Sequence, residues 1–89
     1  MIITFDPTKD RRNLSKHKLS LAEAENLEWD WLLAAPDTRF DYGELRMIGY
    51  APIRTRVFCV VFVDRSDERQ IISLRKANDR EVKRYANKI

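Results

Sequence analysis

The chain is organised around one segment near its C-terminus, Arg69-Gln-Ile-Ile-Ser-Leu-Arg-Lys-Ala77. The apolar residues of this segment are strand formers, and the segment contains neither glycine nor proline, so it predicts a β-strand. Because side chains alternate along a strand, Arg69, Ile71, Ser73 and Arg75 are predicted to share one face. That face has two interpretations: a half-buried edge strand with solvated arginines, or a rigid platform for phosphate, which arginine binds bidentately.

Composition predicts one small globular domain over residues 1–89, because 44% of the residues are hydrophobic and 35% are charged. A net charge of +3 is compatible with an anionic partner. A Cys/His metal site lacks ligands, since the chain has one cysteine, Cys59, and one histidine, His17. We expect a cytoplasmic location and no membrane segment, because a signal-peptide pattern is missing and the apolar run around Cys59 is too short to cross a bilayer.

The first half of the chain predicts a strand and two helices. Ile2 to Phe5 is a short apolar strand, and Asp6-Pro7 is a typical helix start. The first helix is predicted to end near His17, with Leu14 as its apolar anchor.

Ser20 and Glu23 have the spacing of a capping box, which predicts that a second helix starts at Ser20. Helical spacing puts Trp31 in phase with Ala24 and Leu27, so Trp31 is predicted to be core. Trp29 is then predicted to be exposed, for a protein partner or for RNA.

The second half predicts four strands and a last helix. The four strands are Thr38–Tyr42, Glu44–Ala51, Arg54–Asp64 and Arg69–Ala77, and Pro52 ends the second. The third is the most apolar, so it is predicted to be central with Cys59 buried. A cap at Asn78 starts a helix that continues to about Asn87. The order β-α-α-β-β-β-β-α with short links predicts a two-layer α+β domain, in which helices pack on a mostly antiparallel sheet.

A set of residues is spread over nearly the whole chain in a distinctive order and spacing. They are Phe5-Asp6-Pro7, Asn13, Lys16-His17, Ser20, Ala24, Gly43-Glu44, Arg46, Gly49, Arg69 to Arg75, Ala77, Glu81 and Arg84-Tyr85. In this order and spacing they resemble the BrnT family of bacterial type II toxins, and the resemblance implies the RelE-like fold of that family. One departure is Lys18, which stands where the family usually has a glycine suited to a left-handed helix end.

The resemblance implies a metal-independent endoribonuclease that needs no cofactor, cleaves RNA and arrests translation. Its implied partner is a BrnA-like antitoxin with a ribbon-helix-helix domain, and the implied assembly holds two toxins and two antitoxins. Operator DNA would be bound only through the antitoxin.

Metal-free RNA cleavage needs a base for the 2′-hydroxyl, cations for the transition state and an acid for the leaving oxygen. His17 is the one side chain that ordinarily titrates near neutrality. Alternation puts Glu44 beside Arg46, either as its partner or as a base. The candidate catalytic residues are Arg75, His17, Arg46 and Glu44, and the candidate substrate-binding residues are Lys16, Arg69 and Tyr85.

Two other functions stay open at this point. One is a non-catalytic binding module that engages an antitoxin or nucleic acid, and the other is a plain structural interaction domain. RNA degradation in the presence of EDTA separates the enzyme from the binding module. The sequence does not assign the acid and base roles.

Overall fold

The chain folds into five strands, two α-helices and two short 3₁₀-helices, and the computed structural model describes residues 1–89. The elements are β1 (Ile2–Phe5), α1 (Pro7–His17), 3₁₀-helices Leu21–Asn26 and Trp29–Trp31, β2 (Leu33–Pro36), β3 (Met47–Ile53), β4 (Arg56–Arg65), β5 (Glu68–Lys76) and α2 (Asp79–Lys88). The strands form one sheet in the order β1-β5-β4-β3-β2. Only β1 and β5 are parallel, so the predicted α+β class with a mostly antiparallel sheet is confirmed.

Helix α1 begins and ends where the sequence predicts. The Asp6 side chain accepts from the Thr8 amide, and Pro7 occupies the first helical position. Lys18 takes the left-handed conformation at the end, with φ 59°. The prediction that Leu14 anchors the helix is wrong: Leu14 is 42% exposed, and Asn13 is the residue that α1 buries.

Two 3₁₀-helices replace the predicted second α-helix. The Ser20 side chain caps the first of them through the Ala22 amide, without the reciprocal Glu23 contact of a capping box. Buried Leu21, Ala24 and Leu27 lie three residues apart, which is the period of a 3₁₀-helix. Their spacing therefore fits the tighter helix better than the α-helix.

The predicted roles of the two tryptophans are reversed. Trp29 packs edge-on against Phe62, with ring centroids 5.8 Å apart, and its indole N–H donates to the Ala24 carbonyl. Trp31 is 57% exposed. The error follows from the helix type, because the first 3₁₀-helix stops at Asn26 and the α-helical phase does not reach Trp31.

The predicted strand over Thr38–Tyr42 does not form, and the strand that precedes β3 is β2. A loop over residues 37–46 lies between them, closed where the Asp37 amide donates to the Arg46 carbonyl at 2.7 Å. Strand β3 also starts later than predicted, and it continues through Pro52 to Ile53. Pro52 is tolerated beside the hairpin turn, and its carbonyl accepts from the Glu28 amide.

Strand β4 is the middle strand and Cys59 is buried, as predicted. One face of the sheet meets the 3₁₀-helices and forms the main core. The fully or nearly fully buried members of that core are Leu21, Ala24, Leu27, Ala51, Phe58, Val60, Phe62, Ile71 and Leu74. The alternate residues of β4, including Cys59 and Val61, face the other side of the sheet.

A β-bulge in β5 overturns the predicted shared face of Arg69 and Arg75. Phe62 of β4 pairs with Ile71 and Val61 pairs with Ser73, so Ile72 has no partner across the ladder. One extra residue reverses the alternation beyond it. Arg69 therefore lies on the core side against Trp29 and Phe62, whereas Ser73 and Arg75 face the opposite side.

Helix α2 begins as predicted, at a cap on Asn78. The Asn78 side chain accepts from the Glu81 amide, and the Glu81 carboxylate accepts from the Asn78 amide. The buried Tyr85 ties the helix to the rest of the fold by donating to the Trp31 carbonyl at 2.6 Å.

Candidate active site

A basic cleft lies between α1 and the face of the sheet that looks away from the 3₁₀-helices. Its volume is about 470 Å³, and six of its thirteen lining residues are lysine or arginine, with no aspartate or glutamate among them. The lining residues are Lys9, Arg12, Asn13, Lys16, His17, Arg39, Arg46, Ile48, Cys59, Val61, Ile72, Ser73 and Arg75. The cleft thus brings together Lys16, His17, Arg46 and Arg75 of the residues proposed from sequence.

Helix α1 supplies one wall of the cleft. Lys9, Arg12 and Lys16 are three and four residues apart, so their side chains project from the same side of the helix. None of the three has a carboxylate within ion-pair distance. The wall is therefore a row of uncompensated positive charge, of which the sequence-based interpretation named only Lys16 as a substrate contact.

Asn13 ties this wall to the sheet. Strand β1 pairs with β5 only as far as Ile71, which leaves the backbone of Leu74 without a strand partner on that side. The Asn13 amide takes the place of a strand: it accepts from the Leu74 N–H at 3.1 Å and donates to the carbonyls of Leu74 and Leu19, each at 2.8 Å. Asparagine is unfavourable inside a helix unless its side chain forms hydrogen bonds elsewhere, so its position within α1 was the one sign of this role in the sequence.

His17 lies half-buried in the last turn of α1, at the edge of the cleft. Burial lowers the pKa of its imidazole from the usual 6.5, and the charges of Lys16 and Arg75 lower it further. The ring is therefore neutral at pH 7 and able to accept a proton.

Arg75 is held in the cleft by a buried carboxylate behind it. Its two terminal nitrogens donate to the two Glu81 oxygens at 2.8 and 3.0 Å, and Tyr50 donates to the same carboxylate at 3.0 Å. Hydrogen bonds from Arg75 lower the pKa of Glu81 to about 2, against the opposing effect of burial. Burial raises the pKa of Tyr50 to about 12.

The geometry leaves Arg75 with donors to offer. A guanidinium has five N–H donors, and Arg75 uses three of them, two on Glu81 and one on the Lys76 carbonyl. The other two, on Nε and on one terminal nitrogen, have no partner in the protein. Arg75 is thus oriented by Glu81 and still able to bind an anion.

Arg39 and Arg46 come from the two ends of the loop over residues 37–46. Asp37, whose side chain is 1% exposed, holds Arg39 by two bonds of 2.8 Å. These hydrogen bonds lower the pKa of Asp37 to about 2. The guanidinium of Arg46 lies over the Tyr42 ring at 4.0 Å, and its buried Nε has no hydrogen-bond partner.

Three residues proposed from sequence lie away from the cleft. Glu44 is exposed and pairs with Arg65 at 2.6 Å instead of orienting Arg46, because both precede the start of β3 and strand alternation does not apply. Arg69 is on the other face of the sheet, where it pairs with Asp64. Tyr85 is buried on α2 with its hydroxyl bound to the backbone.

Metal-binding side chains do not gather anywhere in the chain: no three histidine, cysteine, aspartate or glutamate residues are placed to hold an ion together. Cys59 lies in the floor of the cleft, and burial raises the pKa of its thiol. At eleven and ten residues, the two α-helices are too short and too charged to qualify as membrane spans.

Comparison with protein families places residues 5–81 in the family described as "Ribonuclease toxin, BrnT, of type II toxin-antitoxin system". The chain belongs to the BrnT family. The family is one of ribonuclease toxins of type II toxin–antitoxin systems, so membership implies an antitoxin partner. The resemblance read from sequence is thereby confirmed.

A solved structure supports the fold of this BrnT family member. The crystal structure of the Brucella abortus ribonuclease toxin BrnT matches it with a TM-score of 0.68 and 21% sequence identity, covering 89% of this chain and 99% of the Brucella chain. Comparison with curated protein sequences finds no match. The relation to RelE-type ribonucleases stays a prediction.

Proposed function

We propose that this chain is a metal-independent endoribonuclease that cleaves RNA in the basic cleft and thereby arrests translation. The observation that carries the proposal is the make-up of the cleft, where six cations and His17 converge without a carboxylate among the lining residues. Only Arg39 and Arg75 of the six cations have an ion-pair partner. Four uncompensated charges in one cleft suit a phosphodiester backbone.

The proposed reaction is an attack of the RNA 2′-hydroxyl on the neighbouring phosphorus. The 2′-oxygen loses its proton and forms a bond to phosphorus, while the bond to the 5′-oxygen breaks and that oxygen takes up a proton. The products are a 2′,3′-cyclic phosphate and a free 5′-hydroxyl. His17, neutral at pH 7, serves as the base or, once protonated, as the acid of this sequence.

Arg75 is the proposed transition-state donor. Its position on a strand and the bidentate Glu81 contact fix the guanidinium before substrate arrives, and preorganised donors stabilise developing charge better than mobile ones. Arg46 is the proposed second phosphate contact, because its charge faces no carboxylate. Lys16, with Lys9 and Arg12, is proposed to bind the flanking backbone.

Metal independence is proposed from the chemistry of the lining residues. Catalytic Mg²⁺ sites are built on carboxylate oxygens, and the cleft has none. Fixed cations at the same place supply charge stabilisation to a phosphorane-like transition state without a metal.

The decisive experiment incubates the purified protein with single-stranded RNA in EDTA and analyses the product ends. We expect internal cuts that end in 2′,3′-cyclic phosphate. Lys16→Ala should weaken RNA binding, whereas Lys83→Ala, an identical charge change on exposed α2, should not. Intact RNA with the wild-type protein would instead favour the non-catalytic binding module. Equal effects of the two lysine variants would contradict the cleft as the RNA site.

The proposed antitoxin is a BrnA-like ribbon-helix-helix protein, in an assembly of two toxins and two antitoxins that acts in the cytoplasm. An acidic antitoxin segment is the complement of the basic cleft, and complementary charge speeds and orients association. Light scattering on the co-expressed pair tests the stoichiometry. A one-to-one heterodimer at high protein concentration would contradict it, whatever the outcome of the RNA assay.

A further inference from the structure

We propose that the loop over residues 37–46 is a nucleobase platform, in which Phe40 stacks on an unpaired base next to a phosphate bound in the cleft. The proposal rests on the proposed RNA function and adds a second kind of contact to it. The cleft cations hold the sugar–phosphate backbone, and the loop holds a base.

A continuous line of ring contacts joins Phe40 to the cleft. The centroids of the Phe40 and Tyr42 rings are 5.9 Å apart. The Arg46 guanidinium lies over the same Tyr42 ring, 4.0 Å from its centroid. Arg46 lines the cleft, and so does Arg39, the residue directly before Phe40. Phe40 is therefore linked to two cations of the cleft: Arg39 precedes it in the chain, and Arg46 lies over its ring partner Tyr42.

The Phe40 ring is available for stacking. Phe40 is 68% exposed, although it is a large apolar residue in contact with another ring. The two rings meet at 70°, a T-shaped contact that fixes the position of Phe40 without covering it. A base that stacks on Phe40 would bury apolar surface that the protein leaves in water.

The loop contains no strand or helix, but hydrogen bonds to Asp37 connect its two ends and its middle. Asp37 accepts from the Arg39 guanidinium and from the Tyr42 hydroxyl, and its backbone amide closes the loop on the Arg46 carbonyl. The Asp37 side chain is buried, whereas the Arg39 side chain is 61% exposed, so these bonds lie at the boundary between protein and solvent. A buried carboxylate that positions an arginine and a tyrosine keeps the neighbouring ring in place before RNA binds.

Aromatic rings beside positive charge are the usual means of binding single-stranded nucleic acid. Stacking tolerates any base, because every base has a π-face, but the base must first leave its own stack. The platform therefore predicts binding to unpaired RNA, with little preference among the bases.

The test measures the affinity of two uncleavable probes, a short 2′-O-methyl RNA and an abasic oligonucleotide of equal length and charge. Phe40→Leu should weaken binding of the base-bearing probe by about tenfold, a typical loss for one stacked base, and leave the abasic probe unchanged. Phe40→Trp should restore binding. The matched control is Leu45→Ala, which removes another exposed apolar side chain, 66% exposed, from the same loop.

Equal binding of both probes by wild type and Phe40→Leu would overturn the platform. If Phe40→Leu instead weakens only the complex with the antitoxin, the loop is a protein contact and the platform is again wrong. Lys16→Ala distinguishes failure of the platform from failure of the proposed function. If Lys16→Ala lowers the affinity for both probes, the cleft remains the RNA site. If neither Lys16→Ala nor Phe40→Leu changes the affinity for any probe, both the platform and the proposed function are overturned. A melting temperature equal to that of wild type confirms that Phe40→Leu is folded.

Discussion

Replacing Arg75 with alanine should cost the fold stability as well as activity. The change leaves the Glu81 carboxylate, whose side chain is 9% exposed, without its two strongest hydrogen bonds. Breaking a buried pair from one side is destabilising because the other charge stays buried. Nothing in the sequence alone revealed the Glu81 contact.

The magnitude follows from the pKa of Glu81. A fall from 4.5 to about 2 corresponds to an upper limit of roughly 3 kcal/mol for all contacts to the ionised carboxylate. Arg75 is the largest contributor, but its side chain is 34% exposed, so solvent screens part of the interaction. We therefore expect a loss of about 1–3 kcal/mol, which lowers the melting temperature of a chain of this size by roughly 5–20 °C.

The pH dependence has a definite sign. A carboxyl group with a lowered pKa in the folded state stabilises the fold above its unfolded pKa, near 4.5, and that stabilisation is lost as the pH falls towards 2. The gap in melting temperature between wild type and Arg75→Ala should therefore be full at pH 7 and should close between pH 4.5 and about 2.

The assay is thermal unfolding of Arg75→Ala, Glu81→Gln and the double variant, evaluated as a double-mutant cycle. The double variant should lose less stability than the sum of the losses of the two single variants. The reason is that Arg75→Ala leaves no buried negative charge unpaired once residue 81 is a neutral glutamine. Arg65→Ala is the matched control, since it breaks the exposed pair with Glu44, which is worth about 0–1 kcal/mol. A shift for Arg75→Ala no larger than for Arg65→Ala, with no coupling to Glu81, would refute the reasoning.

Three further predictions address the active site, the floor of the cleft and the link between helix and sheet. His17→Ala should lower RNA cleavage by roughly 10²–10⁴-fold. The wild-type pH–rate profile should bend below pH 6.5, because burial and neighbouring cations lower the pKa of His17. If His17 is the base, activity falls as the pH decreases through this bend; if His17 is the acid, activity falls as the pH rises towards neutral. The buried Cys59 thiol should react with a labelling reagent only after denaturant unfolds the protein, so rapid native labelling would contradict its burial. Asn13→Ala should cost about 2–4 kcal/mol in denaturant unfolding, since it leaves buried backbone groups of Leu74 unpaired, and Ser15→Ala on the exposed side of α1 should be near neutral.

Local signals in the sequence predicted the elements that depend on local chemistry. The Asp6-Pro7 start of α1 and the Asn78 cap of α2 are side chains that bind their own helix ends, so a few neighbouring residues determine them. The apolar run around Cys59 predicted the middle strand, because a strand with consecutive apolar residues has to be buried on both faces of the sheet.

The errors arise where distant contacts decide. Over six residues, spacing of three is nearly the same as spacing of 3.6, so the pattern of Leu21, Ala24 and Leu27 did not distinguish a 3₁₀-helix from an α-helix. The bulge at Ile72 is a property of the β4–β5 pair, and it moved Arg69 away from the cleft. The contact between Asp37 and Arg39 likewise depends on how the loop over residues 37–46 closes. The sequence therefore did not indicate Arg39 as a residue of the cleft.

The cleft also shows why whole-chain charge is a poor guide to this surface. The chain has seventeen basic and fourteen acidic residues; with six basic residues in the cleft, the remainder holds eleven against fourteen and carries a net charge of −3. Residues 19–32, which include both 3₁₀-helices, contain acidic residues and no lysine or arginine, and their apolar side chains pack on the face of the sheet opposite the cleft. A polyanion is attracted to one side and repelled from the other, so RNA approaches in a defined orientation. The RNA affinity should accordingly fall with salt concentration at a slope set by the number of phosphate contacts in the cleft. That slope should be steeper than a net charge of +3 suggests.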